Sequence, residues 1–214
     1  MTDRPILFSG PMVRALLDGR KTQTRRVITK KAAHNALAIF GADFLLLPGN
    51  VDLIGYARGD RLWVREKHAI CQDCGNYDPC EDANSAGIND RRCCRSCDEM
   101  LPKRLRPSIF MPRWASRLTL TVTEVRVQRL QDISEDDAIA EGCRPYFDHD
   151  NPSELAGPNG TVHQMAPLRG PLDDFHRLWD SLNADRAPWD SNPWVCAVSF
   201  TLHQGNIDQM EAAR

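Results

Sequence analysis

Six of the eight cysteines fall between Cys71 and Cys97, as Cys71-Gln72-Asp73-Cys74, then Cys80, then Cys93-Cys94-Arg95-Ser96-Cys97. The knuckles Cys71/Cys74 and Cys94/Cys97 are separated by the nineteen residues Gly75 to Cys93. Each C-x-x-C places two thiolates on one side of a tight turn, and two such turns complete a tetrahedron around zinc. The surrounding segment has almost no large apolar residues, so metal would serve as its core. A disulfide cluster or a redox pair is the alternative, disfavoured in a reducing compartment. Cys80 and Cys93 are ambiguous, since either can replace one of the four nominal ligands, and His68 is a further candidate. Four thiolates close the shell and leave no position for water, which makes the expected zinc structural rather than catalytic. Cys143 and Cys196 stand apart and read as small core residues.

The second chemical feature is Gly19-Arg20-Lys21-Thr22-Gln23-Thr24-Arg25-Arg26. A lysine crowded by Arg20, Arg25 and Arg26 loses its proton more readily, and a neutral amine can act as base toward a threonine hydroxyl. Lys21 and Thr24 are three apart, however, so on a regular strand they point to opposite faces. They cooperate only if the segment turns. Lysine beside threonine is also common on phosphate-binding loops and ordinary surfaces.

Around these residues lie two basic patches. Seven cations between Arg14 and Lys31 face the single acid Asp18, and eight between Arg91 and Arg117 stand beside Asp98 and Glu99. Such patches meet phosphates, and Trp63, Phe110 and Trp114 are placed to stack on bases. The contact set expected from them is Arg20, Arg25, Arg26, Arg65, Arg113 and Trp114. Solvated faces balanced by the acidic stretch from Asp132 to Glu154 are the plain alternative.

Composition bounds the rest. The chain has 214 residues, 42% hydrophobic and 26% charged, with a formal net charge of -2. That suffices for one domain with an insertion and excludes a fibrous repeat or wholesale disorder. A near-neutral total gives no global pull toward nucleic acid or anionic lipid. The longest apolar run, from Ala36 to Pro48, is too short for a bilayer. The start shows no signal-peptide pattern, so a cytoplasmic protein with no membrane partner is expected.

Pro5 to Phe8 suits a strand, followed by a short helix with Ser9 as N-cap, Pro11 in its first turn and Gly19 after its end. Residues 19–26 are too polar for a core and read as a loop or exposed edge. Residues 29–58 are ambiguous between helix and strand. Arg61 to Glu66 alternates like a half-buried strand. In the long strand from Leu118 to Val127 the apolar parity switches, which predicts a bulge near Thr123-Glu124. Ser134 caps a helix from Glu135 to Glu141 closed by Gly142, with Ile133 stapled to Ala138. Residues 143–170 read as a long loop. Pro171 restarts a helix with Leu172, Phe175, Trp179 and Leu182 on one face. A strand from Trp194 to Leu202 follows, and the residues after Gly205 look dispensable. The class is α+β, a small curved sheet or barrel.

Leu16 to Arg26, Gly59 to Glu66 and Pro107 to Arg117 together resemble the ASCH domain family, in the version common in bacteriophages and prophages. The resemblance continues through Ile133-Ser134, Glu141-Gly142, Phe175 to Asn183 and Asn192 to Val195. It implies a PUA-like β-barrel with flanking short helices and a cleft, formed by residues 1–66 and 107–204. Residues 67–106 would be a zinc-knuckle insertion and residues 205–214 a tail. A branch of the family hydrolyses the amide of N4-acetylcytidine with a lysine and threonine of a G-x-K-x-x-T motif and a glutamate. The matching positions are Lys21, Thr24 and Glu141. The implied partners are nucleic acid, RNA ahead of DNA, or a modified nucleoside. A non-catalytic RNA- or DNA-binding module and a ribonuclease are the alternatives.

Overall fold

The computed structural model describes residues 2–70, 77–79, 104–143 and 170–210. Five strands form its main sheet: β1 (Asp3–Leu7), β2 (Gln23–Val27), β3 (Arg61–Arg65), β7 (Leu118–Arg129) and β8 (Trp194–Gln204). Their order is β1-β3-β7-β8-β2, parallel only between β1 and β3. The sheet is therefore mixed and open among the described residues, where a closed barrel is expected from the sequence. β1 and β2 are its two edges. A side chain links them instead of a ladder, because Arg26 Nη2 donates to the Leu7 carbonyl at 3.0 Å.

The middle strands explain the core. β3 lies between β1 and β7, so Leu62, Trp63 and Val64 are all buried, not half-buried as alternation suggests. In β7 the pairing runs Val122 with Phe200 and then Glu124 with Ser199, so Thr123 is the extra residue of a bulge. Leu118, Leu120 and Val122 point inward before it and Val127 after it. One inserted residue thus keeps both halves of a twelve-residue strand facing the same core.

Helices cover this sheet. α1 (Gly10–Leu17) buries Val13, Ala15 and Leu16 and is ended by Gly19 at φ +71°. Ser9 precedes it without a side-chain capping bond. The ambiguous stretch resolves into α2 (Lys31–Phe40), α3 (Ala42–Leu45) and α4 (Val51–Ile54). From this layer Ala33, Leu37 and Leu45 enter the main core beside Ile6, Phe8, Val198 and Phe200. α5 (Glu135–Ala140) and α6 (Pro171–Asn183) build a second cluster with Leu130, Ile133, Ala138, Phe175, Trp179 and Val195. On α6 the predicted face is divided: Phe175 and Trp179 are buried, while Leu182 is exposed. Cys143 and Cys196 are free, buried thiols, which burial pushes up to about 12 in both cases.

The insertion grows from the end of β3. β4 (His68–Ile70), β5 (Tyr77–Pro79) and β6 (Arg104–Arg106) form a separate three-stranded antiparallel sheet in the order β5-β4-β6. Cys71, Cys74, Cys80, Cys93, Cys94 and Cys97 lie outside the described residues, as does most of the loop expected over residues 143–170. Asn206 and Ile207, expected in a dispensable tail, pack against the domain. Ile207 is fully buried, and Asn206 Nδ2 donates to the carbonyls of Arg113, Trp114 and Ser116 at 2.8–3.0 Å. Among the described residues no helix is long and apolar enough to cross a membrane.

Candidate active site at the Lys21 and Glu141 bridge

The polar segment expected at the surface is buried. Lys21, Gln23, Thr24 and Arg25 are each at most 4% exposed. Polarity predicts exposure only for groups that lack partners, and here the partners come from the far end of the chain. Lys21 pairs with Glu141 as an isolated antiparallel bridge, and Thr22 N–H donates to the Ala140 carbonyl at 2.8 Å. From Gln23 onward the segment pairs with β8 instead, Thr24 lying opposite Val198. This change of partner at Thr22 breaks the strand, so strict alternation no longer governs Lys21 and Thr24.

Glu141 occupies the position after the last residue of α5, where helical order ends. Gly142 follows at φ +98°, a conformation that suits glycine. A Cβ there would also meet Ala15 Cβ at 3.1 Å and Lys21 Cβ at 3.4 Å. The start of α5 is held by Ser134, whose Oγ accepts from Asp137 N–H at 3.1 Å. A cap of this kind contributes about 1 kcal/mol.

Five charged groups meet at this junction. Lys21 Nζ donates to Glu141 Oε2 at 2.7 Å and to the Glu141 carbonyl at 2.8 Å. Arg25 Nη1 reaches Glu141 Oε1 at 3.2 Å, and its Nη2 reaches Asp137 Oδ2 at 2.7 Å. Arg126 Nη2 donates to Asp137 Oδ1 at 2.7 Å. Gln23 accepts from Arg25 at 2.5 Å and donates to Asp137 and Ser199 at 3.2 Å. The rings of Phe8 and Phe175 lie 5.7 Å from Lys21 Nζ and the Arg25 guanidinium respectively.

Electrostatics follow from this enclosure. Burial pushes the Lys21 amine below the usual lysine range, against the charge and hydrogen bond of Glu141, with a smaller push from Arg26. Crowding by Arg20 is not the cause: Arg20 binds Asp18 at 2.8 Å and the Gly142 carbonyl at 3.0 Å. Burial raises the Asp137 carboxyl, but the hydrogen bond from Arg126, the charge of Arg25 and the amide of Gln23 hold it below the carboxylate range.

Thr24 and Glu141 line a cleft of about 30 Å³, with Met12 on one side and Phe175, Leu178, Trp179 and Leu182 of α6 on the other. Among the described residues the Thr24 hydroxyl has no side-chain hydrogen bond. A wider cleft of about 460 Å³ lies elsewhere, between Leu46, Val51, Ile54 and the bulge at Thr123-Glu124. Its walls are mostly aliphatic and do not include Lys21, Thr24 or Glu141.

The expected nucleic-acid contacts are dispersed. Arg25 is buried in internal ion pairs, so its guanidinium does not face solvent. Arg26 lies over Phe8 with 5.3 Å to the ring centroid, and Arg65 lies 4.5 Å over Trp63, itself buried. Arg113 pairs with Asp3 and Asp208. Trp114 is exposed, as are Phe110 and Ile109 beside it.

Asp137, Gln23 and Arg126 belong to the site but were not among the residues expected there. Asp137 and Glu141 are four apart, a spacing that sets two carboxylates on one helical face. Asp137 also stands three residues after the N-cap Ser134, where a capping role is the simpler expectation from sequence. Among the described residues no group of three or more His, Cys, Asp or Glu could hold a metal ion. No family model, curated protein or solved structure matches the chain.

Proposed function

We propose that the chain is an ASCH-like hydrolase that removes the acyl group from an N4-acylated cytosine, in a nucleoside or within RNA. The observation that carries this reading is the buried Lys21 amine, 2.7 Å from the Oε2 of Glu141, a residue that lines a cleft together with Thr24. In the proposed reaction the neutral Lys21 amine takes the proton of the Thr24 hydroxyl as Oγ1 attacks the acyl carbonyl. The new ammonium then protonates N4 as the C–N bond breaks, releasing cytosine. Water attacks the acyl-threonine, its proton returns through Lys21, and the carboxylic acid leaves. Glu141 orients the amine through the whole cycle.

The same reading treats the open sheet as a PUA-like barrel whose gap between β1 and β2 is filled by Lys21, Arg26 and Phe8. A structural zinc on Cys71, Cys74, Cys94 and Cys97 belongs to the proposal as well. Incubation with N4-acetylcytidine tests the reaction: cytidine and acetate are expected, and release that survives both Lys21→Met and Thr24→Ala would reject it.

Binding of single-stranded RNA without chemistry is a second reading, favoured by Phe110 and Trp114, which are 66% and 63% exposed. Exposed aromatic faces of this kind stack on bases. Its mark would be salt-dependent binding of an RNA oligonucleotide that Phe110→Ala and Trp114→Ala weaken while Lys21→Met does not.

A further inference from the structure

We infer that Arg25 is a positioning residue that replaces Lys21 as the counter-ion of Glu141, leaving the Lys21 amine free to lose its proton. Its importance for turnover rests on the hydrolase reading, whereas the charge arrangement stands on the geometry alone.

Lys21, Arg25 and Arg126 face Glu141 and Asp137, three cations against two carboxylates. The side chains of Lys21 and Arg25 are 0% exposed, Glu141 4% and Asp137 14%. With Lys21 neutral, the other four groups balance. With Lys21 protonated, the cluster carries one surplus positive charge; the Arg126 side chain is 36% exposed and screened by water, whereas Lys21, Arg25 and Glu141 are enclosed. The proton on Lys21 is therefore the one the site can lose most readily.

The two oxygens of Glu141 divide this work. Oε1 accepts from the Arg25 guanidinium, while Oε2 accepts from Lys21 Nζ, and the Glu141 carbonyl accepts from Lys21 as well. A neutral amine still has two protons to donate to these two oxygens, so deprotonation need not break the contacts that hold it. Without Arg25, Glu141 would be a buried carboxylate whose only charged partner in the cluster is Lys21, and the pair would hold its proton firmly. Asp137 keeps Arg25 in place, and Arg126 and Gln23 keep Asp137 in place.

Among the described residues, one other group facing Lys21 acts in the same direction as Arg25 and the rest are uncharged. Arg26 of β2 is a cation that opposes the lysine charge, Cys143 after α5 is a thiol kept protonated by burial, and the loop after β1 presents the Phe8 ring. From α1 the Ala15 carbonyl accepts from the Lys21 backbone.

The test is a direct titration of the Lys21 amine in the full chain, by NMR on protein with labelled lysine side chains. The sequence holds five lysines, so the spectrum is simple enough to assign with a Lys21→Arg variant. Arg25→Gln removes a positive charge and is expected to raise the pH at which Lys21 titrates by about one unit or more. Asp137→Asn removes a negative charge and is expected to lower it. The opposite signs matter, because a variant that merely loosened the site would admit water and move Lys21 upward in both cases. No movement in Arg25→Gln, or upward movement in both, overturns the inference. If Arg25→Gln does not fold, Asp137→Asn decides alone: a fall supports the role, and no change or a rise overturns it. Hydrolysis of N4-acetylcytidine read on the same samples separates the two proposals. Its acidic limb should follow the Lys21 titration, whereas a parent protein that titrates as expected but releases no cytidine removes the hydrolase reading alone.

Discussion

Lys21 Nζ donates to both the side-chain Oε2 and the main-chain oxygen of Glu141, at 2.7 and 2.8 Å, across 120 positions of sequence. One ammonium thereby ties the segment before β2 to the exact point where α5 ends. Among the described residues the carboxylate has a second cationic partner in Arg25 and the amine has no second carboxylate, which makes the bridge asymmetric.

That asymmetry has an energetic consequence. Removing one member of a buried pair costs about 3–5 kcal/mol when the other is left uncompensated. Glu141→Gln takes a carboxylate from both Lys21 and Arg25 and is expected to be the costlier change, short of the full range because Lys21 can shed its proton. Lys21→Met leaves Glu141 with Arg25 and should cost less. Urea denaturation of both variants checks the order, and equal losses would contradict it.

Stability should also respond to pH in two windows. The Asp137 and Asp3 carboxyls are held below their ordinary value by arginines, despite partial burial that raises them. Their contribution is complete above the unfolded carboxylate value, about 3.9, and is lost as pH falls through the lower folded values. Lys21 is depressed by burial, so the unfolded chain binds its proton more tightly. Between the folded Lys21 value and the unfolded one, about 10.4, stability should therefore rise with pH. Denaturation midpoints measured from pH 2 to 10 would show both, and Lys21→Met should abolish only the alkaline rise.

Truncation after Gly205 should be costly. It removes the fully buried Ile207 and the Asn206 amide that binds three carbonyls. Losing a buried isoleucine side chain alone costs about 2–5 kcal/mol. A truncated chain with an unchanged melting temperature would show that these contacts contribute nothing.

The α6 wall should set acyl-chain selectivity if the cleft is used as proposed. Leu182 borders it and is 46% exposed, so Leu182→Ala widens the mouth with little effect on the core. The variant should favour longer N4-acyl groups by about tenfold in kcat/KM, the worth of one or two methylenes in a pocket. Competition between acetyl and butyryl substrates gives that ratio directly.

Metal analysis addresses the cysteine segment. About one zinc per chain is expected from two paired knuckles. Cys74→Ser should remove it, and chelation should expose the insertion to protease. A metal-free preparation that resists protease equally would count against the zinc proposal.

The order of strands and helices was largely visible in local patterns. The parity switch between Val122 and Val125 located the bulge at Thr123 because a strand's two faces alternate residue by residue. Ser134 announced α5, and Gly19 and Gly142 marked helix ends through conformations glycine adopts easily. Residues 29–58 stayed ambiguous because α3 and α4 are four residues each, too short for a helical period to emerge. The burial of Gln23 and Arg25 was invisible for another reason. A charged residue reads as exposed until its partner is known, and Asp137 stands 112 positions from Arg25.

By itself the sequence determined most of the local elements, the bulge and the spacing of the cysteine knuckles, because these depend on neighbours along the chain. Only the tertiary structure decided that the sheet stays open among the described residues, that Ile207 is core, and that the side chains of Lys21 and Arg25 are interior groups sharing one carboxylate. Those outcomes depend on which distant groups neutralise one another once water is excluded, and that is settled by three-dimensional proximity.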